Sequence, residues 1–175
     1  MELFWYGILY SFLGFLLEVA FAHVTNARKQ DRKCFLLLPL CPVYGLGAVG
    51  ILLLPPVVQR SVPLLFLGST TVASLAEYGM GLFYERCWGV AFWNYSGLPG
   101  NVKGRVCLPF SLCWGVLGVA LVRWVQPLMA RFVAMLPGFL LPPVLALLAA
   151  DFVCSGLLLR QTRSTDSLRW YRLRQ

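Results

Sequence analysis

The sequence predicts an all-α fold: a polytopic transmembrane helix bundle of about five spans, with the N-terminus outside and the C-terminus cytoplasmic. Three observations predict it. The 175 residues are 59% hydrophobic and only 13% charged, with a mean hydropathy of +0.72. Water-soluble domains carry about a quarter charged residues, so this chain has too few to cover a water-facing surface. Apolar stretches about 20 residues long, enough to cross a bilayer as helices, recur along it. Lys and Arg (15) outnumber Asp and Glu (7), for a net charge of +8, and they gather in particular loops. This balance excludes a disordered chain and argues against a soluble enzyme or an electrostatic nucleic-acid binder.

The first span is expected over residues 3–24. It follows Met1-Glu2 with no basic segment before it, and it contains Glu18, so it reads as a retained helix rather than a cleaved signal peptide. The second is expected over 35–58, where Pro39, Pro42, Pro55 and Pro56 predict kinked or unwound ends. The third covers 62–84, the fourth 106–125 and the fifth 137–159. The bundle thus occupies 1–159, and 160–175 forms a basic cytoplasmic tail.

Orientation follows from the loops. Arg28, Lys29, Arg32 and Lys33 follow the first span. Arg86, Lys103 and Arg105 follow the third. Arg160, Arg163, Arg169, Arg172 and Arg174 fill the tail. These twelve lie on one side, against Arg60, Arg123 and Arg131 on the other, and the positive side is the cytoplasmic one. Trp170 and Tyr171 in the tail suit a membrane interface, and its arginines suit anionic lipid headgroups better than nucleic acid.

Small residues mark the faces that meet. Gly7, Ser11 and Gly14 share a helical face with Glu18. Thr70, Ala73 and Gly81 share one with Glu77, and Ser111, Gly115 and Gly118 form a third. Close packing in lipid explains the glycines fully. It does not explain the acids. A charge at a span centre costs about 2.5–3.5 kcal/mol on insertion scales, so Glu18, Glu77 and Asp151 must be paired, protonated or wetted. With Glu85, Cys41, Tyr44, Asn101 and Arg105 they fall in the cytoplasmic half, which implies a polar cup opening inward. Arg105 or Lys103 would partner the acids. The competing reading is a buried ion-pair network that only fixes helix packing. The segment between Arg86 and Arg105 is long and aromatic, so it lies in the interface or folds back over the cup.

A weak internal repeat is visible. Lys33 precedes Cys41 as Arg105 precedes Cys113, each pair follows a glutamate-bearing span, and glycines follow each cysteine. Spans one–two and three–four would then be related hairpins of parallel topology. Other patterns carry no chemistry. Gly45-Leu46-Gly47-Ala48-Val49-Gly50 has the spacing of a dinucleotide-binding turn but lies inside a span. Asn94-Tyr95-Ser96 is a glycosylation triplet on the cytoplasmic side. Six cysteines and one histidine, His23, show no zinc spacing and no nucleophile–base pair, so no metal or cofactor is expected.

Two stretches carry a resemblance. Lys33-Cys34-Phe35-Leu36-Leu37-Leu38-Pro39-Leu40-Cys41-Pro42-Val43-Tyr44-Gly45 resembles a pattern close to R-G-F-L-x-G-P-x-C-P-I-Y-G. Trp93-Asn94-Tyr95-Ser96, Asn101, Gly104-Arg105-Val106-Cys107-Leu108 and Trp114-Gly115 resemble W-D-Y-S…N-x-x-G-R-I-C-L…W-G. Both are similar to the CmpB-like family of ABC-transporter type IV proteins, whose glutamates fall at Glu18, Glu77 and Glu85. The departures are Lys33, Cys34, Leu38 and Asn94. The resemblance implies a small bacterial protein of the cytoplasmic membrane, with a separate ATPase if the family label describes its activity.

Together these readings predict a permease or transport component, with Glu18, Glu77 and Glu85 serving a cation, proton or small solute. A membrane-embedded enzyme acting on a lipid or headgroup is the alternative, with carboxylates as acid and base. A non-catalytic membrane-complex subunit is the third. Membrane lipids, a homodimer or another membrane protein are the partners expected.

Overall fold

The computed structural model describes residues 1–25 and 34–168. The basic residues at 28–33 and 169–174, with Trp170 and Tyr171, lie outside them. Among the described residues helix is the only regular secondary structure apart from one isolated β-bridge, Val102 to Val106. Helix α1 spans Glu2–Val24, α2 Pro42–Leu52, α3 Pro56–Arg60 and α4 Val62–Trp88. Helix α5 spans Leu108–Ala120, a π-helical turn Leu121–Val125 joins it to α6 (Gln126–Ala134), and α7 spans Leu141–Thr162.

Prolines start most of these helices. Pro42, Pro56, Pro63 and Pro109 stand at first or second helical positions, where a missing N–H costs nothing, whereas Pro127 lies within a continuous helical stretch. Pro127 explains the π turn. Its ring crowds the carbonyl four residues back, and the wider turn before it relieves the crowding while the helix continues. Gly89, at φ 67°, ends α4 in the left-handed conformation that glycine adopts without strain.

Among the described residues, three continuous helical stretches are long and apolar enough to cross a membrane: Glu2–Val24, Leu108–Ala134 and Gly138–Thr162. The expected fourth span therefore begins at Leu108 and runs on through α6, and the fifth continues to Thr162, past the expected start of the tail. Helix α4 has the length, at 27 residues, but its polar stripe lowers its hydropathy. The expected second span is not one helix. Residues 34–41 are non-helical, α2 has only 11 residues, and α3 is a separate turn of helix beyond Pro55.

The molecule is inside-out relative to a water-soluble protein. Large apolar side chains such as Leu67, Leu75, Trp124 and Phe139 face outward, whereas Ser11, Ser69, Ala73, Glu77, Asp151 and Ser155 are buried. Helix α1 packs on α2, α2 on α4, and α4 on α5, forming a curved row. Helix α6 closes the row back onto α1, where Tyr10 donates to Gln126 Oε1 at 2.7 Å. Helix α7 lies outside, against α4.

Glycines set the crossings, as the small-residue faces predict. A Cβ on Gly45 would meet the Gly7 carbonyl and Ser11, one on Gly14 the Tyr44 ring, and one on Gly115 Thr70 and Phe66. Replacing Gly45 by Val should push α1 and α2 apart. We expect a loss of about 1–3 kcal/mol, read as a lowered melting temperature in detergent.

The same crossings reveal an internal correspondence. Ser11 and Thr70 each bond back to the carbonyl four residues earlier, and each faces a glycine of the next long helix, Gly45 or Gly115. Glu18 and Glu77 lie seven residues further along their helices. This register pairs Tyr44-Gly45 with Trp114-Gly115, two positions away from the one that pairs Cys41 with Cys113, because glycine contacts rather than the flanking basic residues set it.

Candidate functional site

The non-helical segment 34–41 sits deep. Cys41 N–H donates to the carbonyl of Ser11, near the middle of α1, so the segment ends beside the centre of an apolar helix. There a bilayer offers no water, and backbone polar groups must find protein partners. Asp151 supplies them. Its Oδ1 accepts from Leu37 N–H and its Oδ2 from Leu38 N–H, both at 3.0 Å. Ser155, one helical turn on, accepts from Leu37 N–H at 3.1 Å and donates to Asp151 Oδ1 at 3.1 Å. Phe35 anchors the same segment among Tyr84, Trp88 and Phe152, with ring centroids 4.6–5.3 Å away. Asp151 thus fastens a loop and does not line the main cavity.

That cavity, about 510 Å³, lies between α1 and α5. Glu18, Tyr44 and Glu77 of the expected cup line it together. Tyr44 donates to Glu18 Oε1 at 2.8 Å. Glu77, 4% exposed, accepts from the Tyr95 hydroxyl at 2.8 Å and from Trp114 Nε1 at 3.0 Å. Tyr44 and Trp114, the two positions matched in the internal correspondence, meet edge to face at 4.8 Å. Burial first, then the Glu77 carboxylate beside it, hold the Tyr95 phenol well above its ordinary pKa, so it remains a donor.

The aromatic loop after α4 folds back over this site. Trp93 and Tyr95 are buried and line the cavity, and Tyr95 stacks on Phe110 at 4.9 Å. Its shape is fixed internally. Tyr95 N–H donates to Gly104 O, and Trp93 Nε1 donates to Arg105 O at 2.8 Å. Asn101 donates to the carbonyls of Ser96 and Leu98. Gly100 and Gly104 hold positive φ, as does Lys103.

The remaining expected residues lie apart. Arg105 grips Glu85, its Nε reaching both carboxylate oxygens at 3.1 Å and its Nη2 reaching Oε2. It also donates to the Tyr78 hydroxyl at 3.2 Å and covers that ring. The hydrogen bonds to Glu85, outweighing some loss of hydration, raise the guanidinium pKa further. This pair clamps the loop to the end of α4, one helical face away from Glu77. Cys41 is buried at the start of α2, and Asn101 serves the loop. The aromatic side of the site, Phe21, Phe66, Trp93, Tyr95, Phe110 and Trp114, was not among the expected site residues. The readable signal was the Trp114-Gly115 pair, which mirrors Tyr44-Gly45.

A second cavity of about 260 Å³ continues from the first, sharing Leu17, Tyr44, Trp114 and Leu117 with it and reaching Tyr10 and the π turn at Leu121 and Val125. The Tyr44–Trp114 contact stands between the two.

No curated protein and no solved structure matches the chain. A family model described as "Putative ABC-transporter type IV" matches residues 5–157, which include most of the four long helices and the residues that line both cavities. The chain therefore belongs to that family, a group of transport-related membrane proteins by its description, as the motifs around Cys41 and Trp93 had indicated.

Proposed function

We propose that this protein is the membrane-embedded component of a transport system, a permease of about five spans in the bacterial cytoplasmic membrane. The loops at 25–33 and 89–107 and the tail would face the cytoplasm, supported by the twelve-to-three distribution of basic residues. Helices α2 and α3, with the buried segment before them, would together make the second crossing. The family description supports transport, and a separate ATPase is the partner it implies. Anionic lipids would hold the tail, and a second copy or another membrane protein would cover the outer helices.

One observation carries the reading. Two carboxylates, at matching places in two helical hairpins, line one cavity, and an aromatic pair divides it from a second. Binding sites at the meeting of two repeats, near the middle of the membrane, are the common plan of transporters. Glu18 and Glu77 would hold a cation or exchange a proton, and Tyr44 with Trp114 would be the barrier it passes.

The test is flux through liposomes containing the pure protein, with Na⁺, K⁺, H⁺ and organic ammonium ions offered in turn. Glu77→Gln keeps an oxygen for Trp114 and an amide for the Tyr95 hydroxyl, so it should insert and fold. We expect it to lose at least 90% of whichever flux the unaltered protein shows. Undiminished flux through that variant would sink the proposal.

A further inference from the structure

The cavity's walls also specify a class of ligand, an inference that rests on the transport reading above. Besides two carboxylates they present the rings of Phe21, Tyr44, Phe66, Trp93, Tyr95, Phe110 and Trp114. A small metal ion needs six or more oxygen ligands or its own water shell, and seven rings supply neither. Ring faces instead attract organic cations, whose charge is spread over apolar groups and weakly hydrated. The volume, about 510 Å³, is that of a site for a drug-sized molecule rather than for an ion. The rim points the same way. Leu17, Phe21, Leu112 and Val116 line the cavity and are also exposed on the outer surfaces of α1 and α5. The crevice therefore opens sideways, where lipid would meet it.

We propose that this crevice takes a lipophilic organic cation from the membrane, with Glu18 and Glu77 balancing its charge and the aromatic walls holding its apolar groups. The carboxylates exclude an anion of the same shape by repulsion, so discrimination is by charge rather than by fit.

Tetraphenylphosphonium and tetraphenylborate are nearly identical in shape and opposite in charge, and titrating each into the intact protein in lipid nanodiscs, by calorimetry, tests the proposal. We expect saturable phosphonium binding, and borate binding at least ten-fold weaker. The double variant Glu18→Gln/Glu77→Gln should lose at least ten-fold in phosphonium affinity. Glu18→Asp/Glu77→Asp should retain most of it, and Glu2→Gln, on the exposed start of α1, should bind as the unaltered protein does. Equal binding of both ions, or full affinity in the double Gln variant, would overturn the assignment. So would a dimer that closes the crevice and binds no phosphonium. If the double Gln variant fails to fold, the phosphonium–borate comparison on the unaltered protein decides by itself. Liposome flux separates the two claims. Phosphonium that binds but is not carried leaves the ligand class standing and overturns transport. Inorganic cation flux without phosphonium binding overturns the ligand class alone.

Discussion

Asp151→Ala should cost this protein more stability than any other single side-chain truncation among its acids. The substitution removes the carboxylate acceptor of both the Leu37 and Leu38 N–H groups, in a segment packed beside the middle of α1. A buried donor left unsatisfied costs about 1–3 kcal/mol, and a bond to a charged acceptor sits at the upper end. Two such donors put the expected loss at about 3–5 kcal/mol, a large fraction of the roughly 5–15 kcal/mol by which folded proteins are stable. Aggregation on solubilisation, or a melting temperature lowered by more than 10 °C in mild detergent, is the expected result. Asp151→Asn keeps one acceptor oxygen and should fall between the two. A variant Asp151→Ala with unchanged melting would mean that the segment finds other partners. The expected phenotype is loss of protein, since Asp151 does not line the cavity.

Tyr44→Ala should have the opposite character: a stable protein with altered permeability. The ring fills the space above Gly14, forms half of the partition between the two cavities, and donates to Glu18. Removing it merges the cavities into one continuous passage beside α1. We expect liposomes carrying this variant to leak the transported cation at least ten-fold faster, with weaker dependence on Glu77. Tyr44→Phe keeps the partition but not the hydrogen bond, so it should stay tight while changing affinity. If Tyr44→Ala is as tight as the unaltered protein, the partition is elsewhere.

Much of the architecture was legible in the sequence because the bilayer imposes simple rules. Length and apolarity located the helices around 3–24, 62–84 and 137–159 to within a few residues, apart from the longer run of α4 to Trp88. Small-residue periodicity identified the packing faces of α1, α4 and α5; those of α4 and α5 meet each other, whereas that of α1 meets α2. The second span misled because hydropathy does not distinguish an apolar helix from an apolar chain with its backbone bonded elsewhere. Residues 34–41 are as hydrophobic as a span, and their backbone partner, Asp151, lies over a hundred positions away.

The site was legible in part. Glu18, Tyr44 and Glu77 do meet, since each sits on an inward face that periodicity defines. Of the acids that Arg105 was expected to partner, it holds Glu85 and not Glu18 or Glu77. The aromatic donors were hidden for a different reason. Tryptophan and tyrosine in an apolar chain read as packing or interface residues, and only the fold shows Trp114 and Tyr95 turned toward a carboxylate.

The grip of α7 on the buried segment has a mechanical consequence. Asp151 holds Leu37 and Leu38, the chain then runs through Cys41 directly into α2, and Tyr44 lies on the first turn of that helix. Fewer than ten residues link a helix whose outer side, at Leu145, Val153 and Leu157, is exposed, to the ring that stands between the cavities. A displacement of α7 along its axis would be transmitted as tension on the start of α2, because neither the carboxylate nor the two amides can release without losing their bonds in an apolar setting. The outermost helix is thus a handle, and the partition between the cavities is at the other end of a short tether.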